Sequence, residues 1–212
     1  MEQAQSPIDI DTYAVAQRRL SQPAFDYPAQ VPLSLANTGS PAPTATVKAS
    51  VPVGTAALEV DGRRYALAQF HWHTPAEHQV DGVVAPLEMH LVHESAQYQV
   101  LVLGVRIAQG SHHAELEKIF GNLPQPTSGT MHVDAFDLRT LLPATLASYR
   151  YDGSLTTPPF AEGVSWVLFA EALEMSDTQI AAFRGLFDSG NARDLQPLNG
   201  RVVYSDVELD EN

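Results

Sequence analysis

Apolar residues in this chain recur mostly at every second position or in short runs bounded by Pro and Gly, which is strand spacing; helical spacing is rare. Strands are expected over residues 31–35, 44–53, 57–60 and 64–70, with Asp61-Gly62 as a hairpin turn. Residues 98–107 (YQVLVLGVRI) and 163–170 (GVSWVLFA) are nearly continuous apolar runs, the mark of strands covered on both faces, and residues 202–207 read as extended. Helical signals are few. Residues 11–20 suggest a turn or two, and Ser111 can cap a segment through Phe120 that Gly121 closes. Ser176 with Gln179 forms a capping box ahead of Ile180, Phe183, Leu186 and Phe187. The expected fold is therefore mainly β: one domain spanning residues 1–212, with a central twisted, mostly antiparallel sheet and short peripheral helices.

Two of the alternating stretches carry chemistry. Residues 68–73 place Phe70 and Trp72 on one face and Gln69, His71 and His73 on the other. In residues 87–93, Met89 and Leu91 share one face while Glu88, His90 and Val92 share the opposite one. Asp81-Gly82 offers a turn between the two runs, and pairing them about it sets His90 opposite His73. Neighbouring same-face positions in a sheet lie about 5–7 Å apart, and Zn–N bonds are about 2.0–2.1 Å, so three such imidazoles can share one divalent ion. Three ligands leave a tetrahedral ion one open position, as catalytic zinc requires. Gln69 and Glu88 each precede a histidine by two residues on the same face and can accept its other ring N–H.

Composition narrows the reading. With 212 residues and 44% hydrophobic content, the chain can bury a sizeable core. A formal charge of −13 argues against a nucleic-acid partner, whose phosphates it would repel. No apolar run approaches the roughly 20 residues that span a bilayer, so no membrane partner is expected. The opening MEQAQSP lacks the basic and apolar regions of a signal peptide. There is no Cys, which removes both thiolate ligands and the usual clue to redox compartment.

Five stretches together resemble the alpha-class carbonic anhydrases: QSPIDI at residues 5–10, QFHWHTPAEH at 69–78, PLEMHLVH at 86–93, YDGSLTTPPFAEGVSW at 151–166 and QPLNGR at 196–201. The resemblance implies Zn2+ held by His71, His73 and His90, and reversible hydration of CO2 to bicarbonate and a proton by a zinc-bound hydroxide, with esterase activity as a weak side reaction. It assigns Thr156 to orient the hydroxide and to donate its own proton to Glu77, with Tyr151 extending that network to the threonine. It gives His73 a backbone carbonyl acceptor near Asn191. Val92, Val102, Leu155, Val164 and Trp166 become the wall for apolar CO2, with Thr157 at the same opening. Sulfonamides and small anions are the implied inhibitors.

Two departures from the family pattern stand out. Asn37-Thr38-Gly39 is followed by Ser40, where fast family members carry a proton-shuttling histidine, so buffer-limited turnover is expected. Phe160 occupies the place of a half-cystine found in bacterial relatives, so their disulfide is missing as a unit. Resemblance suggests a periplasmic or secreted protein, with a cytoplasmic one left open.

Overall fold

The computed structural model describes residues 3–39 and 45–207. In chain order the strands are β1 (Asp9–Ile10), β2 (Ala16–Gln17), β3 (Ala24–Asp26), β4 (Val31–Asn37), β5 (Val47–Ser50), β6 (Ala57–Val60), β7 (Arg63–His73), β8 (Gln79–Val80), β9 (Val83–Val84), β10 (Leu87–Ser95), β11 (Val100–Gln109), β12 (Met131–Phe136), β13 (Ser148–Ser154), β14 (Glu162–Phe169), β15 (Leu173–Met175) and β16 (Tyr204–Ser205). Two short helices, α1 (Glu117–Phe120) and α2 (Asp177–Arg184), lie outside the sheet. The main sheet runs β12-β4-β5-β7-β10-β11-β14-β13-β16-β2, with β3, β6 and β15 joined beside it, and most neighbours are antiparallel. The exceptions include the central β11–β14 pair, which is parallel. These are the two strands with unbroken apolar runs, and both faces are covered accordingly.

One face of the sheet packs Phe70, Trp72, Leu91, Leu103, Val105, Val167 and Phe169 against α1 and α2, burying Leu116, Ile119, Phe120, Ile180 and Phe183. The opposite face carries a second cluster in which Ile8 and Ile10 from the N-terminal segment meet Val102, Tyr149, Tyr151, Val164, Trp166 and Leu168. At about 25 cal/mol per Å² of apolar area, each fully buried Leu or Phe contributes about 1.5–3 kcal/mol, so the first cluster supplies most of the hydrophobic driving force.

Several expectations hold and several are corrected. Asp61 and Gly62 both take positive φ in the β6–β7 turn, as that hairpin requires. The Ser176–Gln179 capping box is present at the start of α2. Residues 11–20 form no helix: Ala16 N–H donates to the Val203 carbonyl and Arg18 N–H to that of Ser205, so the segment joins the sheet edge as β2. Ser111 caps nothing. Its N–H donates to Glu174 Oε2, and His113 Nδ1 takes the Leu116 N–H, which delays α1 to Glu117. The strand expected from Tyr98 begins at Val100, because Tyr98 itself turns with φ 61°.

Candidate metal centre

β7 extends unbroken through His73, and antiparallel β10 pairs with it in the register His90–His71 and Glu88–His73. The expected His90–His73 pairing is therefore shifted. Its cause is the connection: Asp81-Gly82 turns a small hairpin of its own, β8–β9, rather than joining β7 to β10 directly. The face assignment survives, since His71, His73 and His90 still share one side. Their ring centroids lie 5.0 Å (71–73), 5.3 Å (71–90) and 4.7 Å (73–90) apart.

One nitrogen of each ring is tied to an acceptor. His71 Nδ1 donates to Gln69 Oε1 at 2.9 Å, His73 Nδ1 to the Asn191 carbonyl at 3.0 Å, and His90 Nε2 to Glu88 Oε1 at 2.8 Å. These bonds assign the tautomers and leave Nε2 of His71, Nε2 of His73 and Nδ1 of His90 as lone-pair donors. One candidate ligand atom from each residue falls within 4.8 Å of the others, close enough for a single ion. His73 Nε2 is buried with no hydrogen-bond partner. An orphaned buried imidazole nitrogen costs about 1–3 kcal/mol unless something takes its lone pair, and a divalent cation at the cup would do so. The donor set of three imidazoles fits zinc.

The protonation states agree. Burial, with repulsion from His73, His90 and Lys48, holds His71 well below the ordinary histidine range. Burial lowers His73 to about 4 and outweighs the raising effect of its bond to Asn191. Burial also lowers His90, against the opposing pull of Glu88. Near neutral pH all three rings are uncharged, the form that binds a cation.

Each acceptor is itself fixed. Asn191 is fully buried, taking the Thr74 N–H on Oδ1 (2.7 Å) and donating Nδ2 to the carbonyls of Ala45 (2.7 Å) and Trp72 (3.1 Å). Just before it, Gly190 takes φ +74°, where a Cβ would stand 2.7 Å from the Thr74 carbonyl oxygen. Glu88 is also fully buried. Besides the His90 ring it accepts the His78 N–H on Oε2 and His78 Nδ1 on Oε1, both at 2.7 Å. Burial would raise its pKa, but the interactions with His78 and His90 hold it well below the carboxylate range. Gly104, the β11 partner of His90, leaves room for that carboxylate: a Cβ there would come 3.2 Å from Glu88 Oε1.

Tyr151 sits elsewhere than expected. Its hydroxyl is hydrogen-bonded to His78 Nε2 (2.7 Å) and Ser6 Oγ (2.8 Å), so it extends the Glu88 network rather than reaching Thr156. The reason is its place on β13 opposite Trp166, which directs the ring into the second apolar cluster. His78 and Ser6 were missed as site residues in the sequence, although both lie inside the quoted motifs.

Thr156 is buried, and close to it Glu77 carries one buried oxygen, Oε2, with no hydrogen-bond partner among the described residues. Glu77 Oε1 accepts the Arg193 N–H at 2.8 Å. Burial pushes Glu77 up to about 7, against the lowering influence of His90, Thr156 and Arg193. The Arg193 guanidinium stacks 3.8 Å over Phe160 and donates to the Ser6 carbonyl at 2.6 Å, binding the N-terminal segment to the loop that carries Thr156. In the row beside the histidines, Gln69, Val92, Val102 and Trp166 follow one another across β7, β10, β11 and β14. Val164 is buried in the same cluster and Leu155 packs against it, while Thr157 is half-buried two residues along. The Trp166 ring stands 4.9 Å from His90. Ser40 lies outside the described residues.

Known proteins share this arrangement of strands and motifs. The family model described as eukaryotic-type carbonic anhydrase matches residues 1–207. A carbonic anhydrase of Klebsiella pneumoniae is 39% identical over 201 residues, covering 94% of this chain and 78% of its own length. Among solved structures, an alpha-carbonic anhydrase from Thermovibrio ammonificans in complex with sulfanilamide superposes with a TM-score of 0.88 at 38% identity, covering 95% of this chain and 86% of that one. The Photobacterium profundum alpha-carbonic anhydrase gives 0.86 at 35% identity, covering 95% and 88%. By sequence over nearly its whole length and by fold, this chain belongs to the eukaryotic-type, or alpha, carbonic anhydrase family.

Proposed function

We propose that this chain catalyses the reversible hydration of CO2 with Zn2+ held by Nε2 of His71, Nε2 of His73 and Nδ1 of His90. The observation that carries the reading is the convergence of three uncharged imidazoles, each with its other nitrogen bound to a fixed acceptor. When bound, zinc would supply the positive charge that, in carbonic anhydrases, brings deprotonation of water down to about pH 7.

The protein's own groups do the positioning. Gln69, Glu88 and the Asn191 carbonyl hold the three rings and their tautomers. The Thr156 hydroxyl donates its hydrogen bond to Glu77, so its oxygen can only accept from the attacking water and fixes the direction of that water's lone pair. Glu77 is set to accept that hydrogen bond because the Arg193 backbone N–H holds one of its oxygens in place. The Thr156 N–H and Thr157 receive the anionic oxygens of bicarbonate or of an inhibitor. Val92, Val102, Leu155, Val164 and Trp166 form the apolar wall against which CO2, which offers no charge, is held. Tyr151 acts through His78 and Glu88 on the orientation of His90.

The test is stopped-flow CO2 hydration on protein of measured metal content, alone and with a sulfonamide. Stoichiometric zinc, fast hydration and its loss in His73→Ala are expected. Zinc-free protein of full activity, or a triple histidine-to-alanine variant that keeps its zinc, would overturn the reading. Ester hydrolysis by the same site is expected to be slow. With serine at position 40, turnover should rise with imidazole buffer concentration and a Ser40→His variant should lose that dependence.

A further inference from the structure

The sheet face that carries the histidine cup also carries a cation, Lys48, without a partner among the described residues. β5 pairs with β7 so that Lys48 stands opposite His71 and Ser50 opposite Gln69. Directly paired residues on one face have Cβ atoms about 4.5–5.5 Å apart. On its other side Lys48 faces Ala36, which brings no charge, and Ser50 faces Ser34. Lys48 is exposed and His71 only partly so, which puts the pair at the mouth of the cup. Among the described residues the Lys48 ammonium makes no hydrogen bond or ion pair, and it repels a proton on His71.

Many of the other cations in this chain of formal charge −13 are already held by partners. Arg64, Lys118 and Arg139 are taken up by carboxylates, while Arg193 and Arg201 are committed to backbone carbonyls and aromatic rings. A long ammonium at the rim of a cleft stays hydrated, so it carries no desolvation cost and keeps its field for whatever enters.

We propose that Lys48 completes an anion-capture subsite with the metal cup, its ammonium pairing with an oxygen of a bicarbonate-sized monoanion as that ion enters or leaves. The role rests on the zinc reading above and sharpens it, because bicarbonate is one side of that reaction. Ser50 and Gln69 supply the polar surround, and the Val92–Val102–Trp166 row opposite favours the neutral partner. The same charge has a second effect of opposite sign. It attracts an anion at the mouth and repels a divalent cation in the cup. A merely structural lysine would produce neither sign, and no simple loss of fold produces both.

At about 7 Å, in the partly solvated mouth of a cleft, a unit charge changes the affinity of a monoanion about three- to eightfold. For the cation the factor is at least as large, since the charge is doubled. The test uses zinc-loaded wild type, Lys48→Gln and Lys48→Arg, titrated calorimetrically with bicarbonate and with thiocyanate at low and high salt, together with the rate of zinc release to a chelator. Expected are a several-fold weaker anion affinity in Lys48→Gln that shrinks with salt, restoration in Lys48→Arg, and slower zinc release from Lys48→Gln than from wild type. Equal anion affinities in all three proteins, or faster zinc release from the Gln variant, would overturn the role of Lys48 while leaving the zinc site intact. A wild type that takes up no zinc would instead remove the metal reading and Lys48's role with it.

Discussion

Glu88→Gln is the sharpest single perturbation of the cup, because one carboxylate orients His90 and at the same time anchors His78. In the native protein its oxygens accept from the His90 ring, the His78 ring and the His78 N–H at 2.7–2.8 Å, with no exposure to solvent. Glutamine removes the charge and replaces one acceptor oxygen with a donor NH2. Whichever way the amide turns, at least one native N–H meets another donor. Each charged hydrogen bond that becomes neutral loses about 1 kcal/mol, and a buried donor left without an acceptor costs about 1–3 kcal/mol. With two bonds weakened and one donor orphaned, the variant should lose about 3–5 kcal/mol of stability. His90 would no longer be held with Nδ1 toward the cup, and loss of such a supporting acceptor typically lowers metal affinity about 10- to 100-fold. Urea unfolding of metal-free protein reads the first effect, and zinc competition against a chromophoric chelator reads the second. A variant within about 0.5 kcal/mol of wild type that also binds zinc within about threefold would refute the reasoning, since it would show that neither His78 nor His90 depends on the carboxylate.

Other consequences are as direct. Thr156→Val keeps the shape but removes the hydroxyl, so CO2 hydration should fall about a hundredfold by stopped-flow while zinc content stays stoichiometric. Gly104→Ala places a Cβ 2.6 Å from Leu168 Cδ1 and 3.2 Å from Glu88 Oε1; the urea midpoint should drop by about 1–3 kcal/mol equivalent and zinc affinity should fall with it. His93, buried and bonded to the Tyr27 hydroxyl at 2.6 Å, is lowered by burial to about 3. Its ordinary value is about 6.5, so between pH 6.5 and 3 the unfolded chain takes a proton that the folded chain refuses, and stability is present above that window and lost as pH falls through it. At pH 4 this one group accounts for about 3 kcal/mol. His93→Phe should therefore show a flatter fall in urea midpoint between pH 7 and pH 4 than wild type, and an equal slope would dismiss the assignment.

The faces of the strands were legible because a period of two leaves no choice once one side must be buried: Phe70 and Trp72 inward forces His71 and His73 outward. Register was less legible. Asp81-Gly82 does form a turn, but nothing local in the sequence says that the turn belongs to β8–β9, and the His90 partner shifts accordingly. Local signals also failed where a distant group captured the backbone. Ser111 is a good cap residue in isolation, yet Glu174 holds its N–H, and residues 11–20 gave up a helical turn to the carbonyls of Val203 and Ser205. The Gln69 and Glu88 contacts followed from strand alternation, because each lies two residues from its histidine. The Asn191 carbonyl and the misplaced Tyr151 depended on where chain segments over a hundred residues apart come to rest. Spacing along the sequence carries no such information.

Arg193 ties Ser6 to Phe160 through stacking and one hydrogen bond. With no cysteine anywhere in the chain, its shape has no thiol chemistry to respond to. Dithiothreitol should leave the melting curve of the metal-free protein untouched, and it should refold from urea without an oxidant or an isomerase to choose a pairing.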